Sequence, residues 1–257
     1  MVKEIYVGVN RHKEKFRVKS ASTDQIVDRN GVHLTKKGRR DAYIQATEGK
    51  LIPIAPFLDF VVVQHSDYAR TEEESEENRI GLGYDPDKVL ILKPSYLLGF
   101  QESNWNHQSI PNENDPSFHA NLLESCYFPR DDAPCMARYA HGVINQMIGI
   151  VEYIRKGKVD GDKIGILLNI HEDPLNSVAA HLLNCLDIDA DCRTVTVLKD
   201  HYPGNFAVED ALTGISIDTL AKDPLFTFKG KGKTTKQGLD QMKSMRDQLA
   251  GYLQLSY

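Results

Sequence analysis

The sequence predicts an α/β fold of three layers, in which a mostly parallel central sheet has helices on both faces and a long cap is inserted. Short apolar runs alternate with helical patterns between residues 5 and 198, which is typical of strand and helix units in a parallel sheet. One segment, 94–134, loses all periodicity and is rich in Asn, Ser, Asp, Pro and aromatic residues. A loop of that length is usually a functional cap or is disordered. We therefore expect one domain over residues 1–257, with 94–134 as a cap that selects the substrate.

The predicted strands are short runs of β-branched and other apolar residues that end in polar ones. Buried strands of this kind are expected at 5–9, 59–66, 88–93 and 163–170, and a further strand at 193–198. Residues 214–220 and 225–230 lie on either side of a turn and are expected to form a hairpin. The first four runs would supply the parallel part of the sheet.

Two of the predicted helices follow from apolar residues at helical spacing, at 135–156 and 234–254. A third is expected to begin after Thr35, whose side chain suits an N-cap, and to stop at Gly49.

Two further helix starts are predicted from capping residues. Thr71 and Glu74 match a capping box, so a helix is expected directly after Arg70. Asp173 suits an N-cap, with Pro174 at the first helical position.

Composition excludes several classes of function. The formal net charge of -5 argues against a general nucleic-acid binder, which needs an excess of Lys and Arg on one face. The most apolar segment, 51–63, is interrupted by two prolines and Asp59, so no membrane span is expected. The four cysteines form no CxxC pair, which favours free thiols in a reducing compartment and hence a cytoplasmic protein.

Basic residues follow three of the predicted strands. Arg11 and His12 come after the first strand, Arg70 after the second and His171 after the strand at 163–170. The carboxyl ends of parallel strands lie at one edge of a sheet, where such folds bind ligands. An arginine fits a phosphate with two hydrogen bonds, and a neutral histidine can act as a nucleophile. The set therefore indicates phosphoryl transfer.

The order of these motifs resembles the histidine phosphatase superfamily, which has the phosphoglycerate mutase-like fold. In that family a first strand leads to Arg-His-Gly, a helix starts with Leu-Thr-x-x-Gly, a Ser-x-x-x-Arg element follows the second strand, and a late strand ends in a second histidine. Here the four motifs read Arg11-His12, LTKKG at 34–38, SDYAR at 66–70, and His171.

The resemblance implies a phosphomonoester hydrolase. His12 would attack the phosphorus atom and form a phosphohistidine, which water then hydrolyses. Arg11, Arg70 and His171 would surround the oxygens of the transferred group. No metal or cofactor is needed for this reaction, and the substrate would be a phosphorylated small molecule or protein.

The general acid that protonates the leaving oxygen is open between two carboxylates. In one branch of the family the acid lies near the end of the third strand, where Glu102 is the nearest carboxylate. In the other branch it directly follows the second histidine, as Glu172 does here.

Three other functions compete with hydrolysis. The family's glycine after the Arg-His pair is Lys13 here, so the chain could be an impaired pseudo-phosphatase that binds a phosphorylated ligand or protein. A mutase is less favoured, because it must also retain its phosphoenzyme while the product reorients. A metal-dependent hydrolase could use four residues of the 94–134 segment, but their spacing matches no helical HxxxH or HExxH arrangement. They are His107, Glu113, Asp115 and His119.

Overall fold

The computed structural model describes residues 4–11, 33–52, 57–99, 118–129, 135–189, 194–198 and 212–254. Within these ranges the strands are β1 (Glu4–Arg11), β2 (Phe60–His65), β3 (Val89–Ile91), β4 (Lys163–Ile170), β5 (Leu186–Asp189), β6 (Thr194–Val197), β7 (Leu212–Ser216), β8 (Leu225–Gly230) and β9 (Lys233–Gly238). The α-helices are α1 (Lys36–Thr47), α2 (Ala69–Leu82), α3 (Phe118–Ser125), α4 (Met136–Arg155), α5 (Glu172–Leu182) and α6 (Leu239–Tyr252).

Seven strands form one mixed sheet in the order β3-β2-β4-β1-β7-β8-β9. The four strands from β3 to β1 are parallel, and β7, β8 and β9 extend the sheet in antiparallel pairing. This arrangement confirms the predicted α/β class. The parallel half is the part that matters for the site, because its carboxyl ends all lie at one edge.

Helices cover both faces of the sheet, as predicted. Alternate residues of β1 point to opposite faces: Ile5, Val7 and Val9 are fully buried in the core shared with α4, α5 and α6, whereas Tyr6 belongs to the smaller core beneath α1. The side chain of Asn10 therefore lies on the α1 and α2 face, and that of Arg11 on the α5 face.

Gly8 is required by close packing in the middle of β1. A Cβ atom built there would lie 2.1 Å from the carbonyl oxygen of Leu51. Since that neighbour is backbone, any larger side chain would displace the chain at 51–52 from the sheet.

The carboxyl-terminal part contains both a confirmed and a wrong prediction. The hairpin of β7 and β8 is confirmed. The helix predicted over 234–254 begins only at Leu239, because Lys231 and Gly232 form a tight turn with φ of 43° and 76° that folds the preceding residues back as β9. The strand expected at 193–198 is present as β6, but it pairs with β5 in a separate two-stranded sheet.

Of the three helix starts predicted from capping residues, one is confirmed and two are wrong. Thr35 caps α1 through its side chain, which accepts a hydrogen bond from the amide of Gly38 at 2.9 Å. The capping box at Thr71 is wrong, since α2 begins at Ala69 and Thr71 lies inside its first turn. The N-cap predicted at Asp173 is also wrong, because the N-cap of α5 is His171.

The helix α5 begins two residues earlier than expected, with His171 at its N-cap and Pro174 at its third position. Amide groups of a first helical turn have no partner within the helix, so a proline at the third position removes no helical hydrogen bond. The early start places both Glu172 and Asp173 in the first turn.

The described parts of the 94–134 segment are not all irregular. Residues 118–125 form α3, so the expectation that the whole segment lacks periodicity is wrong there. Leu122, Leu123 and Tyr127 are buried against the main core. Residues 118–129 are thus anchored to the domain, while residues 100–117 and 130–134 lie outside the described ranges.

No helix in the described part of the chain is long and apolar enough to span a membrane. Cys126, Cys135 and Cys185 are free thiols, in line with the sequence, and Cys192 is outside the described residues.

A buried pair, Tyr127 and His181, joins the anchored segment to α5. The Tyr127 hydroxyl lies 2.9 Å from Nε2 of His181. Burial raises the pKa of Tyr127, so the hydroxyl is the donor and the neutral imidazole accepts. Burial also lowers the pKa of His181 from 6.5 to about 4.

The pair predicts a loss of stability in mild acid. Between pH 6.5 and 4 the unfolded chain takes up a proton on His181 that the folded chain does not, so the free energy of unfolding falls as the pH falls. The lowered pKa of His181 corresponds to a loss of about 3 kcal/mol in the free energy of unfolding over this pH range. Urea unfolding at several pH values should show a steeper decline for the wild type than for His181→Gln, and equal declines would contradict the assignment.

Candidate functional site

The carboxyl ends of β1, β4 and β2 lie side by side, as the sequence predicted for the parallel strands. Arg11 pairs in register with Ile170, and Asn169 with His65. The structure therefore brings four of the predicted site residues to one edge of the sheet: Arg11, Arg70, His171 and Glu172. The other two, His12 and Glu102, lie outside the described residues, as does Lys13.

Arg70 and His171 contact each other directly. Nη2 of Arg70 lies 3.1 Å from Nδ1 of His171, and both residues are buried. A guanidinium can only donate, so Nδ1 accepts and the proton of the neutral ring is on Nε2. That nitrogen lies 2.9 Å from the hydroxyl of Ser66, to which it donates.

The hydrogen bonds from His171 continue into the loop before α2. The Ser66 hydroxyl lies 2.8 Å from that of Thr71, which donates in turn to the carbonyl of Tyr68 at 2.7 Å. The ring of Tyr68 meets the imidazole edge-on at 4.7 Å and lies 4.6 Å from the guanidinium carbon of Arg70. These contacts fix the direction of the Arg70 side chain.

Arg11 and Glu172 form an ion pair at the outer side of this cluster. Nη1 of Arg11 lies 2.8 Å from Oε2 of Glu172, and the two side chains are 32% and 25% exposed. The Nε atom of Arg11 is buried and has no hydrogen-bond partner among the described residues. Part of the guanidinium fork is thus still unused.

A network of buried amides lies behind the two arginines and was not predicted. Asn10 donates to Asn169 at 2.8 Å and to Glu74 at 2.9 Å. Asn169 accepts a second bond from Asn78 at 3.1 Å and donates to the Ser75 hydroxyl at 2.7 Å. The network joins β1, β4 and α2: β1 carries Arg11, α2 carries Arg70, and His171 directly follows β4.

This arrangement can bind an oxyanion. Two guanidinium groups and an imidazole lie at one edge, and buried hydrogen bonds hold the strands and the helix around them, so these elements need not move when an anion enters. No cluster of His, Cys, Asp and Glu that could hold a metal ion occurs among the residues that are described. The side chains of His107, Glu113, Asp115 and His119 are outside that set.

The amide network predicts a large effect of Asn169→Ala on stability. The change leaves the amides of Asn10 and Asn78 and the hydroxyl of Ser75 buried without this partner. Each such group costs roughly 1 to 3 kcal/mol, so a loss of several kcal/mol in the free energy of unfolding is expected. Chemical denaturation measures it, with Gln248→Ala as the control because its bond to Tyr252 is exposed. A similar small loss in both variants would contradict the role of the network.

Comparison by sequence gives no relative: no protein-family model and no curated protein matches the chain.

Comparison by structure does give matches. A structure described as mycobacterial hydrolase 1 aligns over 89% of this chain and 96% of its own, with a TM-score of 0.50 and 12% identity. A mycobacterial glucosyl-3-phosphoglycerate phosphatase aligns over 90% and 97%, with a TM-score of 0.49 and 12% identity. A phosphoglycerate mutase from Bacillus anthracis aligns over 96% and 97%, with a TM-score of 0.48 and 14% identity.

Identities this low establish the fold and not the reaction. The alignment to the mycobacterial hydrolase spans nearly the whole of both chains. The parallel strands of the sheet, with helices on both faces, agree with the α/β fold expected from the sequence. The chain therefore shares the three-layer α/β fold of that hydrolase.

Proposed function

We propose that the protein is a phosphomonoester hydrolase that acts through a phosphohistidine on His12. The observation that carries the proposal is the convergence of Arg11, Arg70 and His171 at the carboxyl ends of neighbouring strands. His12 directly follows Arg11 in the chain, so the nucleophile would enter the same edge as the groups that hold the phosphate.

The three basic residues have distinct roles in this proposal. Arg11 and Arg70 would bind the non-bridging oxygens of the phosphoryl group and offset their negative charge. His171 would donate from Nε2 to one of these oxygens, which requires it to leave Ser66 while Arg70 still holds Nδ1. The positive charge comes from side chains, so we expect hydrolysis without an added metal ion.

Two carboxylates were candidates for the general acid, and the ion pair favours Glu102. Glu172 accepts a bond from Arg11 at 2.8 Å. A proton donor must carry a hydrogen on its oxygen, and a carboxylate facing a guanidinium has its charge compensated instead. We therefore assign the proton transfer to Glu102, in the 94–134 segment.

The same segment is proposed to select the substrate, a phosphorylated small molecule or protein. Residues 118–129 of the segment, which include α3, pack on the domain and would hold the rest of the segment near the sheet edge. We propose that residues 1–257 act as one domain and, given the free thiols of Cys126, Cys135 and Cys185, that the enzyme works in the cytoplasm.

A pseudo-phosphatase is the second candidate, and one observation favours it. Both ring nitrogens of the fully buried His171 already have protein partners. If the ring cannot release Ser66, the site would bind a phosphorylated ligand through its arginines without turnover. Lys13 in the place of the family's glycine points in the same direction.

Hydrolysis of p-nitrophenyl phosphate in the presence of EDTA separates the candidates. The wild type should release phosphate, and His12→Ala should be inactive because it lacks the nucleophile. His33→Ala is the control, since it removes an exposed histidine that bonds Glu73.

Strict dependence on magnesium or zinc, or equal activity of His12→Ala, would contradict the proposal. Binding of phosphate without any turnover would favour the pseudo-phosphatase. In that case Lys13→Gly tests whether the lysine is the cause, because restoring the glycine should then produce activity.

A further inference from the structure

The ion pair of Arg11 and Glu172 lies at the sheet edge that is proposed to bind phosphate. Arg11 is the last residue of β1 and Glu172 the first of α5, so the pair joins two of the strand ends that form the site. Both side chains are partly exposed, in contrast to the buried Arg70 and His171. Glu172 is thus an acidic group in direct contact with a guanidinium that is proposed to bind phosphate.

A carboxylate and a phosphate compete for the same partner. Each presents negatively charged oxygens that accept short hydrogen bonds from a guanidinium. Glu172 uses Nη1 of Arg11, while the Nε atom has no partner among the described residues. Among the described residues, one charged oxygen binds Arg11, although a guanidinium can hold two. An anion that binds Arg11 through two nitrogens must displace the Glu172 carboxylate or share the guanidinium with it.

If an anion displaces Glu172 from Arg11, the carboxylate is still in an environment that stabilises its negative charge. It is in the first turn of α5, together with Asp173. The positive end of the helix dipole stabilises negative charge in that turn. Replacing Glu172 by an anion thus breaks the ion pair, but the displaced carboxylate remains electrostatically stabilised by the helix.

We propose that Glu172 is a competing counter-ion for Arg11 that weakens the binding of phosphate anions, including the inorganic phosphate product. This inference rests on the proposed function only in that the edge of the sheet binds phosphate. It assigns to Glu172 the setting of anion affinity and gives it no proton to transfer.

The test measures binding without turnover. Inorganic phosphate is titrated into the wild type, Glu172→Gln and Glu172→Ala by calorimetry, with orthovanadate as a second probe. Removing one partner of a partly exposed ion pair should tighten phosphate binding roughly two- to fivefold in both variants. Added salt should narrow the difference between the variants and the wild type, because it screens the ion pair.

Glu76→Gln is the matched control. Glu76 also forms an ion pair with an arginine, Arg79, on the exposed side of α2. The phosphate affinity of this variant should equal that of the wild type.

Unchanged or weaker phosphate binding in Glu172→Gln and Glu172→Ala would overturn the inference. If the wild type and both variants all fail to bind millimolar phosphate, the inference is also overturned, and the proposed anion site is contradicted as well. Tighter binding in a protein that hydrolyses nothing would support the inference while the proposed hydrolase fails. If Glu172 were instead the general acid, Glu172→Gln would slow the hydrolysis of alkyl phosphates more than that of aryl phosphates and would leave phosphate affinity unchanged. That result would also overturn the inference.

Discussion

The parallel pairing of β1 with β4 is the constraint on which the candidate site depends. In that register Asn10 lies opposite Asn169, and Arg11 opposite Ile170. A shift of β1 by one residue would turn Asn10 to the opposite face of the sheet, away from Asn169, and carry Arg11 away from α5. The buried amide bonds of Asn10 and Asn169 oppose such a shift, and through Glu74 they attach the same register to α2.

A second constraint is the balance of charge. Several basic groups at one sheet edge repel one another, yet each described one has a partner from the same chain. Arg70 donates to the neutral ring of His171, and Arg11 pairs with Glu172. The positions of the donors are therefore set before a ligand enters, and the ligand replaces existing partners instead of ordering free side chains. Affinity then depends on how easily those partners leave.

The fold and the position of the site could be predicted from the sequence because both follow from local patterns. Apolar runs that end in polar residues identified β1, β2 and β4, and parallel pairing requires their ends to meet. The features that were missed depend on partners that are distant in the sequence. Asn10 and Asn169 are separated by 159 residues, and the sequence showed only two asparagines at the ends of apolar strands.

Local signals also misplaced two helix starts. Thr71 and Glu74 match a capping box, but Glu74 is turned inward to Asn10. Asp173 and Pro174 suit a helix start, but β4 ends at Ile170, and the next residue, His171, is already the N-cap of α5. In both cases burial against a distant strand outweighed the capping preference, which is worth only about 1 kcal/mol.

The central claim is that the edge formed by β1, β2 and β4 carries a phosphoryl group on His12. It is tested most directly by quenching the wild type during turnover of a phosphorus-labelled aryl phosphate and locating the label in the peptides of the digested protein. A label on the peptide that contains His12, stable to base and lost in acid, is the predicted result. A label on any other residue, or equal labelling of wild type and His12→Ala, would contradict the claim.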